Sequence, residues 1–293
     1  MNWLFFFLVL LSTRCFSSEK KYDLAICAVF QNEEFFLKEW LEFHKLIGVQ
    51  HFYLYNNLSD DHSLSILKPY IEKGEVDLID WPVEVRAVRE YLDLLQLPVY
   101  HHALTQFKEE ACWIAFIDID EFLFPVQDEN LVAFLRHYED YAALAVNWQV
   151  FGTSGLAVLP SQKLIIESLI YKGSEDRDIN KTVKLIVQPQ RVRRVETPHL
   201  FIYEDGCFAV DSNSRQMPLQ AEKKPVLIDK VRINHYWFGT SDWLLHNKIP
   251  RREKWGIVIK PSILENIIDF FNEVQDETIV RFVPELRRRM ESL

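Results

Sequence analysis

An α/β fold, an open sheet flanked by helices, is what this sequence predicts, and three observations predict it. From Tyr22 onward, apolar strand-like runs alternate with stretches whose apolar residues recur every three or four positions. At 293 residues, 48% of them hydrophobic, the chain can bury a full core. The fourth strand-like run ends in acids, where an open α/β sheet collects its ligands.

The elements follow in order. "DLAICAVF" (residues 23–30) reads as a buried strand. In "NEEFFLKEWLEFHKLIG", Asn32 is placed to cap a helix, Glu33 and Glu34 suit its first turn, and Phe36, Trp40, Phe43 and Ile47 share a face before Gly48 stops it. "HFYLYNN" (51–57) gives a second strand and "SDDHSLSILKPYIEKG" a helix closing at Gly74. "EVDLIDW" (75–81) is the third strand, residues 94–108 a helix, and "CWIAFIDID" (112–120) the fourth strand. Beyond Pro125 the pattern is less regular. "YAALAVNWQVFGTSG", "KTVKLIVQPQRV", "HLFIYEDGCFAVD" and "RINHYWFG" read as sheet segments, "KLIIESLIYKG" is ambiguous, and two helical stretches follow from about Pro261. With no repeat, low-complexity tract or glycine-rich linker, residues 19–293 are expected to form one domain.

Composition excludes some classes. A formal charge of -10 argues against a nucleic-acid partner, which needs a basic footprint. Cys15, Cys27, Cys112 and Cys207 form no CxxC pair, so neither a zinc knuckle nor a redox motif is present. The apolar run from Trp3 to Leu11 is too short to span a bilayer but suits a signal-peptide core, although no basic segment precedes it. Residues 1–18 are therefore expected to be a signal peptide or short membrane anchor, placing the protein in the secretory pathway or at a membrane. A hydrophobic first element of the fold, in a cytoplasmic protein, is the alternative.

The run "WIAFIDIDEFLFP" (113–125) sets Asp118, Asp120 and Glu121 at the end of a buried strand. Three carboxylates in four positions repel one another and are costly to desolvate unless a cation or hydrogen bonds compensate. Asp118 and Asp120 alternate with Ile119, so an extended backbone turns both to one face. Such a pair suits Mn²⁺ or Mg²⁺, which take one or two protein carboxylates and complete their shell with phosphate oxygens and water. Removing one acid from the cluster should then relieve repulsion and leave stability unchanged or higher.

Asn32-Glu33, "FLKEWLEFHKLIGVQHFYLYNNLSDD", "QLPVYHHAL", "WIAFIDIDEFLFP", "NWQVFGTSG" and "INHYW" together resemble glycosyltransferase family 92, a DUF23-like group with the GT-A fold, from about Tyr22 to Arg252. The resemblance implies a Rossmann-like open twisted sheet with a more irregular C-terminal acceptor-side half. It also implies transfer of a sugar from a nucleotide-sugar donor to a glycan or other hydroxyl acceptor, with UDP-galactose and inversion suggested by similar animal proteins. On this reading Asp120 ligates the metal, and Asp118 contacts the ribose or the metal through water. Glu121 orients the loop or touches the donor sugar. Asn32, Glu33, Asn57 and Asp60 face the nucleotide, His235 joins the metal or diphosphate, and Lys248 and Arg252 clamp phosphates. A solvated basic face is the reading for Arg251. Where relatives carry a lysine and serine after the tyrosine, this chain has Phe238, Gly239 and Thr240, leaving that lysine's phosphate contact in doubt.

Inversion needs a base that is not a metal ligand. Glu167, Asp176 and Asp211 are available. Glu167, among the apolar neighbours of "LIIESL", is expected to have a raised pKa and is preferred; Asp176, in "GSEDRD", is the reserve. Two other classes share features of the sequence. A haloacid-dehalogenase phosphatase also begins from an apolar strand ending DxD, but Phe122 stands where Thr or Val is needed. A non-catalytic carbohydrate-binding protein of the same fold is favoured only by the changes around Gly239.

Overall fold

The computed structural model describes residues 20–218 and 226–291. The segment 1–18, expected as a signal or anchor, lies outside the described residues, and no described helix is long and apolar enough to cross a membrane. The strands are β1 (Tyr22–Phe30), β2 (His51–Asn56), β3 (Val76–Asp80), β4 (Ala111–Phe116), β5 (Glu121–Pro125), β6 (Ala143–Val150), β7 (Tyr171–Lys172), β8 (Val183–Val187), β9 (Val192–Thr197), β10 (Leu200–Tyr203), β11 (Ala209–Val210), β12 (Val231–His235) and β13 (Val274–Gln275). The α-helices are α1 (Glu34–Leu46), α2 (Ser63–Glu72), α3 (Val88–Glu90), α4 (Leu97–Gln106), α5 (Leu131–Leu135), α6 (Ile165–Ser168), α7 (Ser241–Trp243), α8 (Ile249–Lys254), α9 (Pro261–Phe270) and α10 (Val283–Glu291). π-helical turns at Tyr91–Gln96 and Leu244–Lys248 join α3 to α4 and α7 to α8.

The main sheet runs β3-β2-β1-β4-β8-β6-β12-β5, with β11 beside β6. The first four strands are parallel and joined by helices, as the alternating sequence requires. Beyond β4 the sheet is mixed: β8 is antiparallel to β4 and β6, and β12 lies parallel to β6 but antiparallel to β5. β1 shows why the sheet is covered on both sides. Leu24, Ile26, Ala28 and Phe30 enter the core that holds Phe36, Trp40 and Phe43 of α1; Ala25, Cys27 and Val29 enter the opposite core with Val99 and Tyr100 of α4.

Three local expectations differ from what is seen. The fourth strand ends at Phe116, not Asp120; Asp118 and Asp120 occupy the turn that follows, and Glu121 opens β5, which crosses to the far edge of the sheet. Asn32 does not cap α1. The cap position is Glu33, without a side-chain bond, while Asn32 takes a left-handed φ of 55° in the turn leaving β1. The helix expected over 94–108 begins earlier, at Val88, through the π turn.

Candidate active site

β1 and β4 are neighbours, but the chain leaves β1 toward β2 on one side and reaches β4 on the other. Strand order reverses there, and a cleft opens beyond the carboxyl ends of these two strands. It encloses about 390 Å³ and is lined by Phe30, Glu33, Asp118, Asp120, His235 and Lys248, among others. A second cavity of about 600 Å³ adjoins it, sharing Gln31, Asn57, Arg251 and Trp255.

Sheet register delivers two groups to the acidic turn. Phe116 of β4 pairs with Leu185 of β8, which puts Lys184 opposite the start of the turn. His235 pairs with Glu121, and the Tyr236 N–H donates to the Asp120 carbonyl at 2.8 Å. The two π turns supply two more. Gln96 ends one and donates to Asp118 Oδ1 at 3.2 Å; Lys248 ends the other and donates to Asp120 Oδ2. A π turn re-aims side chains relative to a regular helix and is frequent at functional sites. Here each π turn ends in a residue bonded to one of the two aspartates.

Buried lysines are what compensate the acids. Asp118 Oδ2 lies 2.8 Å from Lys184 Nζ, and Asp120 pairs with Lys248 and, through Oδ1, with His235 Nε2 at 3.4 Å. Burial opposes ionisation of Asp120, but Lys248 and His235 outweigh it and hold the carboxyl well below the usual range. Burial also works against the Lys184 charge, yet Asp118 and Glu121 raise its pKa well above the ordinary value. Glu121 is fully buried; its carboxylate accepts the Asp118 N–H at 3.0 Å, so it orders the turn from behind and does not line the cleft. Burial pushes its pKa up.

The nucleotide-side residues divide. Glu33 lines the cleft and accepts from Arg251 at 3.0 Å; burial raises its pKa despite that partner. Asn32 and Asp60 bond each other twice, at 2.6 and 2.8 Å, and border the second cavity only. Asn57 borders both cavities while its Oδ1 accepts the Val83 N–H at 2.9 Å. Arg251 is no solvated surface charge: it donates to the Gln31 carbonyl at 2.8 Å and ties α8 to the turn after β1. Arg252 is the fourth cation of the cleft, lying 4.8 Å from the Trp255 ring and 5.9 Å from that of Trp237. Among the described residues it forms no ion pair, and its Nε is buried without a partner. Burial and the neighbouring Arg251 lower its pKa.

The base candidates fall elsewhere. Glu167 does not line the cleft; it accepts the Leu164 N–H at 2.8 Å and pairs with Arg287, so despite partial burial its pKa is lowered, not raised. Asp211 accepts two N–H groups of its own turn, from Asn213 and Arg215. Asp176 is exposed on the 173–180 loop, where it accepts from Ser174; Ile179 of the same loop lines the cleft.

Sequence reasoning missed Lys184, Gln96, Tyr91 and Trp255, all lining the cleft. Lys184 had a signal. A lysine inside the strand run "VKLIV" is as anomalous as acids at a strand end, and each is the other's compensation. Where the sequence has Phe238, Gly239 and Thr240, Gly239 closes a turn with φ 53°, its N–H donating to the Tyr236 carbonyl at 3.0 Å, and Lys248, nine residues on, lines the cleft.

A divalent ion fits as a two-ligand guest. Asp120 Oδ1 and His235 Nε2, 3.4 Å apart, are near the roughly 3 Å that separates neighbouring ligands on an octahedral ion with bonds near 2.1 Å. Among the described residues no group of three His, Cys, Asp or Glu side chains could hold a metal by itself, so the remaining positions would fall to phosphate and water.

Cations and carboxylates thus converge at the switch point of an open sheet, the place where such sheets bind their ligands. The description Glycosyltransferase family 92 matches residues 22–280, and the chain belongs to that family. A family 92 protein of Ricinus communis is 28% identical over 225 residues, covering 74% of this chain and 36% of that protein. One of Oryza sativa is 26% identical over 276 residues, covering 90% and 44%. A protein of Arabidopsis thaliana named galactan beta-1,4-galactosyltransferase is 26% identical over 188 residues, covering 59% and 36%. The chain thus spans less than half the length of these relatives. The crystal structure of S. aureus TarS 1-349 in complex with UDP-GlcNAc is similar at 10% identity and a TM-score of 0.39, covering 70% of this chain and 62% of that one.

Proposed function

We propose that this chain transfers a sugar, galactose from UDP-galactose being the first donor to try, to a hydroxyl of a glycan, with inversion. The observation that carries this is the charge balance of the cleft. Glu33, Asp118 and Asp120 pair with Arg251, Lys184 and Lys248, Lys184 also lying 3.6 Å from Glu121 behind the turn, while Arg252, half-buried beside aromatic rings, has no ion pair among the described residues. Such a cleft takes up a diphosphate, with Lys248 and Arg252 as its partners. The galactosyl choice rests on the name of the Arabidopsis relative and on the resemblance in the sequence.

In this reading Asp120 and His235 hold Mn²⁺ or Mg²⁺, which supplies Lewis-acid neutralisation of the departing nucleoside diphosphate. Asp118, fixed by Lys184 and Gln96, faces the ribose, and Asn57 and Glu33 frame the nucleoside. Glu121 keeps the turn rigid, so the aspartates need little reorganisation as the C–O bond breaks. Asp176, on the loop whose Ile179 lines the cleft, is the base candidate, since Glu167 is engaged by Arg287 away from it. Trp148 and Trp237 offer faces on which an acceptor pyranose can stack. The test is release of UDP from UDP-galactose by the purified chain with a galactan acceptor, with and without Mn²⁺. Acceptor-stimulated release that needs the metal supports the reading; no release from any of a panel of sugar nucleotides, with the protein folded, overturns it.

A further inference from the structure

Asp120 has two oxygens with different partners. Oδ1 faces His235, the pair that fits a divalent ion, while Oδ2 carries the ammonium of Lys248. Lys248 is 4% exposed, and its Nζ lies 5.4 and 5.3 Å from the rings of Trp237 and Trp243, so water offers it little compensation if it leaves the carboxylate. It also ends a π turn, with the rigid α8 continuing from it. An ammonium and a divalent ion cannot both sit against one carboxylate without strong repulsion at such distances. The ammonium can move off only if another anion receives it.

We propose that Lys248 is a built-in competitor of the metal, holding Asp120 until a nucleoside diphosphate offers its ammonium a phosphate oxygen, so that metal and donor enter together. This rests on the metal and donor reading above, and goes beyond it by giving Lys248 a role before the donor arrives. The lysine keeps the acidic turn neutral and ordered in the free protein. It discourages a metal ion from occupying the site without nucleotide.

The experiment is Mn²⁺ binding to the full chain, followed by the electron paramagnetic resonance signal of free Mn²⁺, with and without UDP. Coupling between UDP and Mn²⁺ alone does not discriminate, because the diphosphate ligates metal directly. The deciding quantity is Mn²⁺ affinity without nucleotide. In Lys248→Met it should tighten by at least about fivefold, the lower edge of ordinary coupling between sites. Arg252→Met removes a charge from the same cleft without freeing Asp120 and should shift it less than about twofold. Lys248→Arg keeps the competitor and should bind Mn²⁺ alone as weakly as the parent, which guards against a Lys248→Met chain that does not fold. Unchanged affinity in folded Lys248→Met, equal tightening in Arg252→Met, or tightening in Lys248→Arg overturns the inference. Absence of Mn²⁺ binding in every variant even with UDP overturns the metal reading as well, so the two failures are distinct.

Discussion

The carboxylate of Asp120 lies against the ammonium of Lys248, and both side chains are buried. From the sequence alone the removal of Asp120 relieves repulsion among three acids; in the fold it is the partner of a buried ammonium, which reverses the sign. Truncating one member of a buried pair typically costs about 3 kcal/mol or more, because the other charge is left without compensation. Asp120→Ala is therefore expected to lose about 3 kcal/mol in urea unfolding as well as its sugar transfer, and Asp120→Ala with Lys248→Met should recover most of the stability and none of the transfer. Equal stability of Asp120→Ala and the parent would remove the buried-pair account. The acids themselves were legible because charge at a strand end is conspicuous. Their pairing with particular lysines was not, since Lys184 is 66 residues from Asp118 and Lys248 128 residues from Asp120, and only strand register and a π turn bring them together.

At the scale of elements, legibility follows the range of the contacts. β1, β2 and β3 with α1 and α2 are written in local periodicity, and their sequence reading needs only boundary changes. The second half is built from pairings such as β4 with β8 and β12 with β5, in which both partners are short and distant in sequence. No local pattern encodes these. The turn after β12 shows what the second half adds. Gly239 has φ 53°, and a Cβ there would lie 2.7 Å from Trp243 Cε3. Trp243 packs against Phe36 of α1 and ends α7, from which the π turn runs on to Lys248. Gly239→Ala is expected to cost about 1–2 kcal/mol from the left-handed backbone alone, with more from the clash, and to weaken UDP binding through a displaced Lys248. Unaltered unfolding and UDP titrations for this variant would show that the turn does not position the lysine.

For the molecule as a whole, α1 carries two buried titrating groups that hold it in place with opposite pH dependence. His44 is a neutral bridge: its Nδ1–H donates to the Trp40 carbonyl at 2.8 Å, and its Nε2 accepts the Leu123 N–H of β5 at 3.2 Å. Burial pushes its pKa down to about 3. Glu39 accepts the N–H groups of Ile165 and Ile166 at 2.7 and 3.0 Å, anchoring α6, and burial raises its pKa to about 7. Against an unfolded value of 6.5, His44 contributes stability present above pH 6.5 and lost as pH falls toward 3. Glu39, against an unfolded value of 4.5, contributes stability present below pH 4.5 and lost as pH rises toward 7. Between pH 4.5 and 6.5 the two slopes, each about 1.4 kcal/mol per pH unit, oppose one another and cancel. Glu39→Gln deletes one slope and leaves the other. Relative to the parent, its stability measured by urea unfolding should fall by about 3 kcal/mol more on acidification across that window. Parallel pH profiles for the two proteins would show that Glu39 does not hold a proton at neutral pH, and that its two N–H partners suffice to keep it charged inside the core.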